Sequence, residues 1–194
     1  GKTFSTITNI DKEFNQFLKW ALKNLWKKKN LNSTQNEKFI INCHNFYHEK
    51  TFNRINMIKS KNIFIDKINI INDKTCDPLE ELLNKIDWIK ICDGCPTNFH
   101  GDLHFENIIK SGKKFKLLDW RESFDNLIKY GDIYYDFAKL NHGLIINHSL
   151  ISENNFSIKV DDKKVKLGYL MTKKYENCQK ILFKFLKDNS FSLY

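Results

Sequence analysis

Apolar residues recur every three or four positions in several stretches of the chain, and polar segments separate these stretches. This spacing puts apolar side chains on one face of a helix, where they can pack against a core. Asp77 followed by Pro78 marks one helix start, since Asp caps helices and Pro fits the first turn. The pattern predicts helices at residues 11–29, 37–59, 77–91, 132–146 and 173–187.

Shorter apolar runs predict β-hairpins. Residues 156–160 and 164–167 alternate between apolar and polar on either side of a polar turn, as paired strands do. Two apolar runs also flank the Gly-containing turn 111–114. The β-branched runs 63–65 and 68–72 fit either a small hairpin or an irregular connection. Helices together with short hairpins indicate an α+β fold.

The hairpin about residues 111–114 brings candidate chemistry together. Asn107 precedes its first strand and Asp119 follows its second, so we expect the fold-back to return Asp119 close to Asn107. Their amide and carboxylate oxygens are hard ligands that suit Mg²⁺. Asp102 lies in the loop that leads in, free to face a substrate hydroxyl. A base Asp followed by two metal ligands is the plan of phosphoryl-transfer sites.

Residues 100–107, HGDLHFEN, carry a family resemblance. They keep the spacing of the protein-kinase catalytic loop but have Gly101 where protein kinases have Arg. In this they resemble the aminoglycoside phosphotransferase and choline kinase family of small-molecule kinases. Asp119-Trp120 resembles the second metal-binding Asp of that family, and residues 131–138, GDIYYDFA, resemble its Gly-Asp…Asp-Leu-Ala segment. Asp, Asn and Gly favour loops in any protein, but that preference does not explain three elements in this order.

The resemblance implies a role for each residue of the loop and hairpin. Asp102 would orient the hydroxyl and accept its proton, while His100 orders the loop and Gly101 supports its shape. The implied cofactors are ATP and Mg²⁺, held at Asn107 and Asp119.

Three further residues receive roles from the same resemblance. Asp136 would brace the loop from behind, and His104 and Glu106 would be candidates for substrate contact. The implied reaction is Mg-dependent transfer of the ATP γ-phosphoryl group to a hydroxyl of a sugar, polyol, amino alcohol or aminoglycoside. The wider run 95–140 resembles members associated with bacterial capsule synthesis, which favours a sugar or polyol. The alternative is a catalytically silent, kinase-like binding module.

The implied fold is the mainly helical C-terminal lobe of a protein-kinase-like phosphotransferase, with residues 1–194 as one domain. Residues 1–5 resemble the segment just after the hinge of these kinases, and no Gly-rich phosphate loop occurs in the sequence. We therefore expect the N-terminal nucleotide lobe to be missing from it, and a truncation after the apolar end 191–194. The small-molecule substrate and that lobe are the expected partners, and the fragment alone is expected to be inactive.

Charge and hydropathy bear on two other classes of protein. The formal net charge of +9 suits a nucleic-acid-binding protein. That class stays open, but the lysines are spread along the chain without a nucleic-acid motif, so we expect no nucleic-acid partner. No apolar run approaches twenty residues and no secretory leader is evident. We expect no membrane partner and a cytoplasmic location.

Two patterns of cysteine and histidine suggest metal sites. The pattern C-x₂-C-x₄-H-x₃-H at residues 92–104 leaves too few residues between its pairs for a zinc finger. His44 and His48 stand four apart in a predicted helix, but no third ligand is evident nearby, which favours packing or surface histidines. The five cysteines are expected to be free thiols.

Overall fold

The computed structural model describes residues 1–61, 67–169 and 172–192. It is an α+β arrangement with small sheets, as the sequence predicts. Its α-helices are α1 (Ile10–Asn24), α2 (Ser33–His44), α3 (Lys50–Lys61), α4 (Leu79–Asn84), α5 (Trp88–Cys92), α6 (Ile133–Ile145), α7 (His148–Ser152) and α8 (Lys173–Asp188). Its strands are β1 (Lys2–Thr3), β2 (Ile70–Ile71), β3 (Lys74–Thr75), β4 (Pro96–Thr97), β5 (Ile108–Ser111), β6 (Lys114–Leu117), β7 (Gly131–Asp132), β8 (Phe156–Asp161) and β9 (Lys164–Tyr169). In this described part of the chain, each helix is too short or too polar to span a bilayer.

The chain divides into two compact units. The first unit comprises residues 1–32, 95–148 and the described part of 171–194, and the second comprises the described parts of 33–94 and 149–170. Every residue of the predicted catalytic loop and hairpin lies in the first unit.

The core of the first unit is built from α1, α6, α8 and an aromatic cluster. The ring of Phe4 lies edge-to-face with Phe17 at 5.5 Å, Phe105 at 5.6 Å and Phe115 at 5.9 Å between centroids. Burying one such side chain contributes about 1.5–3 kcal/mol. Because Phe105 directly follows His104, this cluster anchors the end of the predicted catalytic loop in the core.

Two small sheets frame the loop in the first unit. Strands β5 and β6 form the predicted antiparallel hairpin, with Ile108 opposite Leu117 and Ser111 opposite Lys114, and β1 pairs with β5. Strands β4 and β7 pair antiparallel, so the start of the loop lies beside the start of α6. The predicted helix at 132–146 is α6, and the one at 173–187 is α8.

The first predicted helix ends five residues too late. Helix α1 stops at Asn24, and Lys28 instead forms an isolated antiparallel bridge with Thr97. The backbone N–H of Lys29 donates to the Pro96 carbonyl at 2.9 Å, and that of Asn98 to the Lys27 carbonyl at 3.0 Å. Pairing with β4 therefore satisfies the backbone groups of residues 27–29 without a helix.

The second unit departs from its predicted helices. The stretch expected at 37–59 begins earlier, at Ser33, and a π-helical turn (Asn45–Glu49) separates α2 from α3. The stretch expected at 77–91 is two helices, because Asp87 caps α5 by accepting from the Lys90 N–H at 3.0 Å. Helix α4 begins at Leu79, so its N-cap is Pro78 and not the predicted Asp77, whose carboxylate pairs with Lys85.

The sheet of the second unit contains the other predicted hairpin. Strands β8 and β9 pair antiparallel from Phe156–Tyr169 to Asp161–Lys164, and the strand order is β3-β2-β9-β8. Within the run 68–72, Ile70 and Ile71 form β2. The run 63–65 lies outside the described residues.

Candidate active site

Asp136 holds the predicted catalytic loop, residues 100–107, through the loop's backbone. Its carboxylate accepts from the N–H of Gly101 at 2.7 Å, from the N–H of His100 at 2.8 Å and from Trp26 Nε1 at 2.9 Å. The side chain is fully buried on α6. These contacts are those expected of a residue that braces the loop from behind.

Burial makes the Asp136 carboxylate expensive to ionise. It raises the pKa of the group to about 6, against the opposing effect of the three N–H donors. The neighbouring carboxylate of Asp132 raises the pKa further. Asp132 itself caps α6 by accepting from the Tyr134 N–H at 3.2 Å, and it also accepts from the Cys95 N–H at 2.9 Å. Two buried carboxylates of one helix end therefore fix the segment 95–101.

Glycine is required at position 101. The residue has φ +84°, and a Cβ there would lie 2.5 Å from Cβ of Arg121 and 2.8 Å from Cε2 of Phe99. Residues with a Cβ rarely adopt this conformation. The loop can approach Arg121 closely only because this position has no side chain.

His100 is a hydrogen-bonding bridge between the loop and the hairpin. Its Nε2 donates to the Leu118 carbonyl at 2.7 Å, and its Nδ1 accepts from the Asp102 N–H at 3.2 Å. These partners assign the neutral tautomer with the proton on Nε2. Burial lowers the pKa of His100, which keeps that tautomer at neutral pH. The geometry supports an ordering role, as expected from the sequence.

The Asp102 carboxylate is half-exposed and ionised. Burial alone would raise its pKa, but the Lys139 ammonium, 2.6 Å from Oδ1, together with His104 and His100, brings the pKa below its ordinary value. Nε2 of His104 lies 3.5 Å from the other oxygen. A carboxylate that keeps its charge can accept a hydrogen bond from a hydroxyl and orient it.

His104 and Glu106 pair with each other. Nδ1 of His104 lies 2.8 Å from Oε2 of Glu106, and this contact raises the pKa of the imidazole. Burial alone would raise the pKa of Glu106, but His104 brings it below its ordinary value. Any contact with substrate would therefore involve the pair and not either residue alone.

Asn107 and Asp119 come together as the hairpin predicts. The Leu118 N–H donates to the Asn107 carbonyl at 3.0 Å, so the residue before Asp119 is bonded to Asn107. The buried Asn107 amide nitrogen donates to the Asp102 carbonyl at 2.9 Å and lies 3.2 Å from Nε2 of His104. The atom that remains for a cation is its Oδ1. Asp119 is exposed, with a left-handed φ of +54°, a conformation that Asp adopts more readily than most residues.

Residues on one face of α6 contact successive residues of the loop. Asp136 binds the N–H groups of His100 and Gly101, Lys139 pairs with Asp102, and Gly143 allows Cβ of His104 to approach. A Cβ at Gly143 would lie 3.1 Å from that atom. Positions 136, 139 and 143 share one helix face because they are spaced by three and four.

Two of these partners were missed from the sequence. Lys139 could have been found, since it stands three residues after Asp136 and therefore faces the same loop. Trp26 could not have been found, because its partner Asp136 is 110 positions away and because an apolar ring at position 26 suits any helix that packs on a core.

The cysteine–histidine pattern at 92–104 does not form a metal site. His100 is bonded to Leu118 and Asp102, His104 is bonded to Glu106, and all five cysteines are free. The free thiols confirm the sequence expectation. Among the described residues, the three-ligand group that comes together is His44, His48 and Glu49. The expectation that His44 and His48 lack a third ligand is wrong, because Glu49 lies beside them.

Comparison of this chain with protein-family models, with curated proteins and with solved structures found no match. Its function is therefore argued from the geometry of the site.

Proposed function

We propose that this chain is the catalytic lobe of a Mg-dependent phosphotransferase that moves the γ-phosphoryl group of ATP to a hydroxyl of a small molecule. One observation carries the proposal. A buried carboxylate, Asp136, holds the backbone of a loop that presents the ionised Asp102, while Asn107 is bonded to the same loop and to the hairpin end before Asp119.

The residues present fit Mg²⁺. Asn107 Oδ1 and the exposed Asp119 carboxylate are hard oxygen donors on adjoining backbone segments. No thiol takes part, and His100 has both ring nitrogens bonded elsewhere, so the donor set is one of oxygens. When bound, Mg²⁺ would neutralise the charge of the phosphate oxygens.

The chain's own residues divide the remaining work. Asp102 accepts the hydrogen bond of the substrate hydroxyl and takes its proton as the phosphoryl group is transferred. Lys139 pairs with the Asp102 carboxylate and lowers its pKa. His100 ties Asp102 to the end of β6 through its two ring nitrogens.

The acceptor is proposed to be a sugar, a polyol, an amino alcohol or an aminoglycoside. No Gly-rich loop occurs among the 194 residues, so the proposal includes phosphate contacts from residues outside them. The catalytically silent, kinase-like binding module is the alternative outcome of the experiment below.

The experiment compares the 194-residue chain with its full open reading frame for Mg·ATP binding and for phosphoryl transfer to a panel of these alcohols. In whichever form is active, Asp102→Asn should lower kcat by roughly 10²–10⁴, the usual contribution of a positioned base. Asp119→Ala should remove Mg-dependent nucleotide binding in a calorimetric titration.

Asp161→Asn is the matched control, because Asp161 is an exposed carboxylate of the second unit's hairpin. It should leave both quantities unchanged. Mg·ATP binding without transfer to any acceptor would support the silent binding module. An unchanged kcat in Asp102→Asn, or no Mg·ATP binding by either form, would overturn the proposal.

A further inference from the structure

Three potential metal ligands converge in the second unit, away from the catalytic loop in the sequence. Nδ1 of His48 lies 2.9 Å from Oε1 of Glu49, and Nδ1 of His44 lies 3.9 Å from the same oxygen. Taking one ligand atom from each side chain, all three lie within 4.8 Å of one another. His44 and Glu49 are exposed and His48 is half-buried, so an ion from solvent can reach the group.

The π-helical turn (Asn45–Glu49) creates this convergence. Residues five apart in an α-helix, such as His44 and Glu49, are separated by about 140° around the axis at about 100° per residue. A π turn bonds residue i to residue i+5 and brings such positions together. The Lys50 N–H donates to the Asn45 carbonyl in this way. Single π turns are rare in proteins, and those that occur are often found at functional sites.

The distances suit a tetrahedral ion. Two ligands on a zinc ion at bond lengths of about 2.0–2.1 Å stand about 3.3 Å apart. The two separations from Glu49 Oε1, 2.9 and 3.9 Å, lie on either side of that value. Two imidazoles and one carboxylate with a fourth position open is the ligand set of many zinc sites that bind water.

Aromatic rings limit the orientations open to His48. Its ring centroid lies 4.5 Å from that of Phe52 and 5.0 Å from that of Trp88. Trp88 is itself fixed, since its Nε1 donates to the Leu83 carbonyl at 3.2 Å. The His44 and His48 rings stack with centroids 4.6 Å apart. The nearest lysine in sequence, Lys50, has its ammonium 4.4 Å from the Phe46 ring centroid.

We propose that His44, His48 and Glu49 form a binding site for a divalent transition metal of the Zn²⁺ class, with the fourth position taken by water. This site is independent of the phosphotransferase proposal, because it uses no residue of the catalytic loop. Its imidazole ligands select zinc-like ions over Mg²⁺, which prefers oxygen.

The test is a titration of the full chain with Co²⁺ and then Zn²⁺, in excess Mg²⁺ to occupy oxygen-only sites. Binding is followed by calorimetry, by the visible absorption of tetrahedral Co²⁺ and by tryptophan fluorescence. Trp88 lies beside His48, so Co²⁺ should quench its emission, and Trp88→Phe should remove most of that response without removing the absorption band. Zn²⁺ should displace the Co²⁺.

His44→Ala and Glu49→Gln should each weaken binding by at least about 10–100-fold. That loss is seen when residues that only hydrogen-bond to metal ligands are changed, so removing a ligand should cost no less. Glu49→Gln keeps the size of the side chain, so it remains informative if His44→Ala fails to fold. His142→Asn, at an exposed histidine of the first unit, is the control and should bind like the wild type. One-to-one binding lost in both ligand variants supports the site. No binding, or equal affinity in Glu49→Gln, His142→Asn and the wild type, overturns it.

Discussion

Asp136→Asn should change how the stability of the chain depends on pH. The amide keeps the shape of the carboxylate but cannot ionise. In the folded state the carboxylate is fully buried, and its pKa is raised from an ordinary 3.8 to about 6. The folded chain therefore binds this proton more tightly than the unfolded chain does.

The sign and size of the effect follow from this difference. Stability from the protonated group is fully present below pH 3.8 and is lost as the pH rises through about 6. The gap between the two pKa values corresponds to about 3 kcal/mol, at about 1.4 kcal/mol for each factor of ten. Relative to Asp136→Asn, the wild type should lose most of that amount between pH 4 and pH 7.

Urea denaturation of both proteins, at intervals from pH 4 to pH 7.5, measures the free energy of unfolding. Subtracting the variant from the wild type cancels the groups that titrate in both. The difference should fall by most of that amount over this range, with a midpoint at about pH 5, halfway between the two pKa values, and should level off above about pH 6. Asp161→Asn, at an exposed position, should show no such step at that pH. Parallel curves for wild type and Asp136→Asn would refute the reasoning, because they would mean that burial does not raise this pKa.

Two further substitutions test the loop. Gly101→Ala should lower the free energy of unfolding by about 2–4 kcal/mol, because the new Cβ would strain the backbone and overpack against Arg121. Gly112→Ala, also at positive φ but with open space around it, should lower it by only about 1–2 kcal/mol. Equal losses of the two variants in urea denaturation would contradict the close approach at Gly101. Lys139→Met should raise the pKa of Asp102, since it removes the cation 2.6 Å from Oδ1. Carbon-13 NMR titration of the Asp102 carboxyl measures the change. Lys113→Met, in the exposed hairpin turn, should leave the pKa of Asp102 unchanged. The same pKa in wild type and Lys139→Met would contradict the ion pair.

Local signals predicted the parts of the site that depend on short stretches of sequence. The hairpin from Ile108 to Leu117 follows from two apolar runs and a Gly turn, and it returns the chain to Asn107 whatever the rest of the fold does. Helix α6 follows from its apolar spacing, and the structure adds that Asp132 caps it. The family resemblance supplied the bracing role of Asp136, and the hydrogen bonds agree with it.

Periodicity failed where buried side chains do not require a helix. Leu25 and Trp26 continue the apolar spacing of α1 and are buried, but the backbone at these positions has left the helix. The apolar spacing therefore indicates which side chains are buried. The backbone conformation there is set by the pairing of Lys28 with Thr97. Glu49 was missed for a related reason, because α-helical geometry puts it on another face from His44 and only the π turn unites them.

The contacts of α6 have a consequence for the motions of the loop 100–107. Loops usually open at little free-energy cost, since their amides face water and few contacts hold them. Here the amides of His100 and Gly101 are bonded to a carboxylate buried in the core. Exchange of their hydrogens with solvent requires the loop to separate from α6. We therefore expect these two amides to exchange as slowly as those of the surrounding core. The loop then keeps one geometry whether or not a ligand is bound beside it.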